Sequence, residues 1–208
     1  MASQSHSAEP GTADPSRQAG IAVGIATGAL TMTIFGFIWL GWGFSATKIF
    51  PVTGWIVLYL AFLILLAACI QALRKGKAKM KALAVQPDDF WDRNGRRFGV
   101  ISALEGAGCV LVVVLANIFH RLDLLPAGIS LVVGLHFLPL AGLFRFRGYY
   151  VVGIAIIVGD VLSCALFRAD VITLSVGLTT GTILWVTSID GLRRSRKFLG
   201  GIAPNQER

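Results

Sequence analysis

The chain has 208 residues, 55% of them hydrophobic and only 14% charged, with a formal charge of +8. A soluble domain carries about 25% charged residues to cover its surface, so this composition excludes an ordinary soluble globule and predicts a lipid-facing protein. The basic excess sits between long apolar runs, a pattern of membrane orientation and of contact with anionic headgroups at the cytoplasmic face. The aromatic-basic interleaving that stacks bases is absent, so nucleic acid is not an expected partner.

Residues 1–19 are polar, contain Ser, Pro and Gly, and show no periodic apolar face; they are expected to form a disordered cytoplasmic tail. Arg17 is their only basic residue and a long apolar run follows, so they do not read as a signal peptide. Six apolar runs come next, at about 20–45, 52–73, 98–119, 124–143, 149–167 and 171–190. A spanning helix needs roughly 20 such residues, and nothing alternates with the period of a barrel strand. The expected fold is all-α: a polytopic bundle of about six transmembrane helices in one membrane domain, 20–192. Residues 74–97 form a basic loop between runs two and three. They read equally as a solvated linker or as a short interfacial helix after Pro87 anchored by Trp91. The five residues 144–148 join runs four and five tightly, which predicts adjacent antiparallel helices. Residues 193–208 are expected to form a basic cytoplasmic tail.

With the N-terminus inside, sixteen of the nineteen lysines and arginines fall in cytoplasmic segments, and only Lys48, Arg121 and Arg168 fall outside. That asymmetry places both termini in the cytoplasm of a multi-pass cell-membrane protein. Trp39, Trp42 and Trp55 then mark the outer interface, and Tyr149, Tyr150 and Trp185 lie towards the inner one.

Lipid tails remove the hydrophobic drive for helix association, so small residues mark close packing. Run one carries Gly20, Gly24 and Gly28 at four-residue spacing, and run six carries Gly177 and Gly181. Thr173, Thr180 and Thr187 recur every seven residues on the side of Gly177. The bland reading is helix packing; the functional one is a polar pathway or a homodimer face.

Three ionisable residues lie inside runs: Glu105 in run three, His136 in run four and Asp160 in run five. An acidic side chain costs about 2.5–3.5 kcal/mol at the bilayer centre, and all three groups must pair, face the bundle interior or reach water. Glu105 and His136 each stand seven residues, roughly 10 Å, from the same side, so a pair is allowed if runs three and four are neighbours. Ser102, Glu105, Gly108 and Cys109 share one face of run three, as do Gly153, Asp160, Ser163 and Cys164 in run five. Pro139 leaves the Leu135 carbonyl without a helical donor and can kink the helix beside His136. Apposed carboxylate and imidazole suit a proton relay; the alternative is a structural hydrogen-bond network. In the cytoplasmic loop Asp88, Asp89 and Asp92 sit beside Arg93, Arg96 and Arg97, and at the inner end of run six Asp190 sits beside Arg193 and Arg194, as local ion pairs. His120, next to Arg121, reads as an interfacial residue.

Cys69, Cys109 and Cys164 all fall in apolar runs, with no disulfide or metal spacing, and no cofactor is expected. H-E-x-x-H, G-x-S-x-G and a phosphate-binding loop are absent. The leading functional reading is a transporter-like or channel-like protein with an intramembrane polar site at Glu105, His136 and Asp160. The alternative is a non-transporting scaffold that binds a membrane partner or assembles as a homo-oligomer; a third is an intramembrane enzyme. The stretch Gly134-Leu-His-Phe-Leu-Pro-Leu-Ala141 resembles a segment of small bacterial multi-helix membrane proteins of unknown function. The resemblance implies a similar bundle in a bacterial inner membrane.

Overall fold

The computed structural model describes residues 15–47, 51–83, 90–144 and 146–201; the side chains of 16, 17 and 90–93 lie outside that description. Its six α-helices are α1 (Pro15–Ser45), α2 (Val52–Ala82), α3 (Phe90–Ile118), α4 (Leu125–Phe144), α5 (Gly148–Leu166) and α6 (Ala169–Gly200), with a 3-10 turn at Leu122–Leu124 before α4. All six are long and apolar enough to cross a bilayer. The protein is an integral, multi-pass membrane protein with a helical fold.

Several helices outrun their apolar stretches. α1 starts at Pro15, so the last five residues of the expected tail are helical, with Ala19 fully buried. α2 continues through the lysine-rich stretch to Ala82 and α3 begins at Phe90, so most of the expected loop 74–97 is helix. α6 reaches Gly200, past the expected start of the basic tail. The reason is that hydropathy marks where lipid ends, while Ala, Lys and Arg are good helix formers on either side of that boundary. A 32-residue α6 is about 48 Å long against roughly 30 Å of hydrocarbon. Trp91 as an anchor and the Asp88, Asp89 and Asp92 cluster fall outside the described side chains.

α6 is the hub: it packs on α1, α2, α4 and α5, whereas α3 touches only α4 and the 3-10 turn. α1 and α6 run antiparallel along their whole lengths, which brings the beginning and end of the bundle to one face. Their seam is built from small residues spaced by seven, Ala22, Ala29, Gly36 and Gly43 on α1, facing Gly177, Gly181, Ser188 and Ser195 on α6. A Cβ on Gly177 would stand 2.5 Å from Gly43 Cα and 2.7 Å from the Trp39 carbonyl oxygen. Further along, Ser188 Oγ donates to the Ala29 carbonyl (2.8 Å) and Ser195 Oγ to that of Ala22 (2.9 Å). Thr33 Oγ1 lies 2.7 Å from Ser188 Oγ and 3.4 Å from Cys69 Sγ, which ties α2 into the same buried node.

Two expectations change here. Among the described residues a Cβ on Gly20 or Gly24 would meet nothing within 4 Å and one on Gly28 only the Tyr149 hydroxyl, so the α1–α6 seam runs along a different stripe of α1. Trp185 is no interfacial anchor: its indole Nε1 donates to the Thr33 carbonyl at 3.0 Å, across the middle of the seam.

Candidate functional site

α3 reaches the bundle through one stripe. Gly108 lies under Val132, Gly128 under Val112, and Ala116 is the only buried side chain described on α3. The antiparallel register of those contacts sets Glu105 opposite His136. Glu105 Oε2 stands 3.3 Å from His136 Nδ1, with the two side chains 29% and 12% exposed. The distance is that of an ion pair, but Nδ1 completes no hydrogen bond there and is itself buried. Pro139 sits inside α4 one turn further on without ending the helix. The pair can share a proton across the α3–α4 contact, and the partial exposure of Glu105 leaves it an edge towards the bundle surface.

Asp160 is placed by a second close approach. α4 and α5 touch at Gly134 and Gly153, where a Cβ on Gly153 would come within 2.6 Å of the Gly134 carbonyl oxygen. From Gly153, the buried face of α5 continues through Ile156, Asp160 and Ser163. α6 packs on the same face, with Thr179 against Gly159. Asp160 is therefore enclosed by α4, α5 and α6 and is 3% exposed. Neither carboxyl oxygen has a hydrogen-bond partner among the described residues. Ser130 stands beside it, with its hydroxyl 2.7 Å from Thr180 Oγ1. One turn further along α5, Ser163 Oγ pairs with Ser175 Oγ at 2.8 Å.

The three ionisable residues thus form two sites. Glu105 and His136 meet at the α3–α4 contact, and Asp160 lies between α4, α5 and α6. On α4 the levels of Ser130 and His136 are six residues, about 9 Å, apart. Cys164, expected on the buried face with Asp160, is exposed, because it lies at the edge of the stripe defined by Gly153, Ile156, Asp160 and Ser163. Ser130 and Ser175 were not singled out by the sequence. Ser130 carried a readable signal, a small polar residue one turn before Gly134 on the face that α5 covers. Away from the spans, Asp190 accepts from Arg194 Nε at 2.6 Å, and Arg121 pairs with Asp123 at 3.1 Å. His120 has φ 54° and closes α3 by letting the Arg121 amide return to the Ala116 carbonyl at 2.8 Å. Among the described residues no three His, Cys, Asp or Glu side chains gather as a metal centre would need.

No curated protein and no solved structure matches the chain. Residues 97–191, a stretch from α3 to α6 that contains Glu105, His136, Asp160 and the Gly134–Ala141 segment, match a family of unknown function (DUF7010).

Proposed function

We propose that the protein is transporter-like, with α4 and α5 packed on α6, and α3 on α4, to carry an intramembrane polar site centred on Asp160. The observation that carries this reading is the Asp160 carboxyl, 3% exposed and without a hydrogen-bond partner for either oxygen among the described residues. A network kept only to hold helices together satisfies its members, because an unsatisfied polar group in a low-dielectric core is costly. The Thr33–Ser188–Cys69 node does so; Asp160 does not. An acid held this way is suited to binding something that enters and leaves. The lysine and arginine asymmetry supports termini in the cytoplasm, and the Gly134–Ala141 resemblance supports a bacterial inner membrane.

The test is flux in proteoliposomes containing the purified protein, screened over small cations and organic solutes with an internal pH dye and isotope uptake. The reading expects a solute whose movement is lost in Asp160→Asn while folding yield stays normal. Absence of flux across the screen, or flux unchanged in Asp160→Asn, counts against it.

A second reading, a non-transporting scaffold or homo-oligomer, draws on the open Gly20 and Gly24 positions and on the single buried side chain described on α3. It expects specific crosslinks at those two faces in native membranes and no flux. The intramembrane-enzyme reading has no comparable observation in its favour.

A further inference from the structure

We infer that Asp160 is a proton-binding site, neutral in the closed arrangement described here and loaded from the membrane face that carries the α5–α6 turn. The inference deepens the transporter-like reading by naming the ion at its central residue.

The surroundings of Asp160 offer no countercharge. On α4 the only titratable residue is His136, turned to Glu105 about 9 Å of helix away. α6 carries no ionisable residue between Asp170 and Asp190. On α5 itself the nearest titratable group is the exposed Cys164, which is within electrostatic reach of both Asp160 and Asp123 of the 3-10 turn. Asp123 is itself paired with Arg121 at 3.1 Å, so that cation is already committed, and a thiol supplies no positive charge. A lone ionised carboxylate buried without partners is far costlier than a neutral carboxyl, so the closed site holds either a proton or a metal cation.

The hydroxyls favour the proton. A hard cation collects a shell of about six oxygens. Here Ser130 is matched to Thr180 and Ser163 to Ser175, at 2.7 and 2.8 Å, so each pair's oxygens are turned to one another and not gathered round a common centre. A proton needs one oxygen and no shell.

The direction follows from the order of side chains along the helices. Asp160 lies six residues, about 9 Å, from the end of α5. The Ser163–Ser175 pair stands one turn nearer that end and gives a proton a polar stepping point. On the opposite side of Asp160 the core is closed by Ile156, Leu184, Phe137 and Val152, all buried and none able to carry a proton. If the lysine-rich segments are cytoplasmic, loading is from outside the cell.

Infrared difference spectroscopy on the purified protein tests this without requiring a transported solute. The inference expects the carbonyl stretch of a protonated carboxyl at neutral pH, lost in Asp160→Asn and unaffected by sodium, potassium or calcium. If Asp160→Asn does not fold, Ser130→Ala is expected to shift the same band by removing the adjacent hydroxyl. An ionised Asp160 at neutral pH overturns the inference, as does thermal stabilisation by one of those cations that Asp160→Asn or Ser130→Ala abolishes. A protonated Asp160 in a protein that moves no solute sinks the transport reading and leaves the proton site standing.

Discussion

Along the α1–α6 seam backbones touch, glycine against glycine and serine against carbonyl, over the full length of both helices; along the α3–α4 contact one stripe of side chains does all the holding, and an acid and an imidazole sit in the middle of it. The first arrangement draws on dispersion and satisfied hydrogen bonds, which is what binds helices where lipid offers no hydrophobic gain. The second accepts ionisable groups at a depth where they are expensive. The longest run of backbone contact lies on the side of α1, α2 and α6. Glu105, His136 and Asp160 lie on α3, α4 and α5.

The comparison breaks most readily at Gly177. A methyl group there meets the Gly43 Cα and N and the Trp39 carbonyl at 2.5–2.7 Å, all of them backbone atoms that cannot swing aside. Gly177→Ala is expected to cost about 3 kcal/mol or more in denaturant unfolding of the detergent-solubilised protein. His136→Ala leaves Glu105 without its partner, and partial exposure of Glu105 to the bundle surface moderates the loss to about 1–2 kcal/mol. That loss is expected to fall on α3 docking alone, visible as roughly tenfold faster thiol labelling of Cys109 with Cys69 unchanged. Ser188→Ala removes one hydroxyl from the seam while Thr33 still bonds the Ala29 carbonyl at 2.9 Å, so about 1 kcal/mol in the same unfolding measurement is expected. Gly24→Ala meets open space and improves helix propensity, for a gain of about 0.5 kcal/mol. A clear loss of stability there sharpens the comparison differently, since it means that a second copy or a partner covers the Gly20–Gly28 face.

The six spans were legible because lipid imposes long uncharged runs, and the Glu105–His136 contact was legible because helix rise fixes depth once neighbouring runs are antiparallel. Helix ends were not, since Lys75 to Lys81 and Arg193 to Lys197 continue a helix as readily as they leave the membrane. Gly20, Gly24 and Gly28 show why a glycine stripe is weak evidence of packing: it permits close approach on a face and says nothing about whether a helix arrives there. The true seam had its own signature, the seven-residue recurrence of Ala22, Ala29, Gly36 and Gly43, mirrored by Gly181, Ser188 and Ser195. Its alanines are too common in membrane helices to stand out alone; only the matched period in both partners distinguishes them. The separation of Asp160 from the Glu105–His136 pair was also hidden, because depth along a helix is readable in sequence while the neighbour each face will meet is not.

The native cysteines report on both regions without any substitution: Cys69 is fully buried in the α1–α2–α6 node, and Cys109 lies half-buried on α3 close to Glu105. Labelling each thiol with a membrane-permeant maleimide across a denaturant series, resolved by peptide mass spectrometry, compares their opening directly. Cys109 should react well before the global unfolding midpoint and Cys69 only at it. Simultaneous labelling, or Cys69 reacting first, contradicts a rigid seam flanked by a lightly held α3.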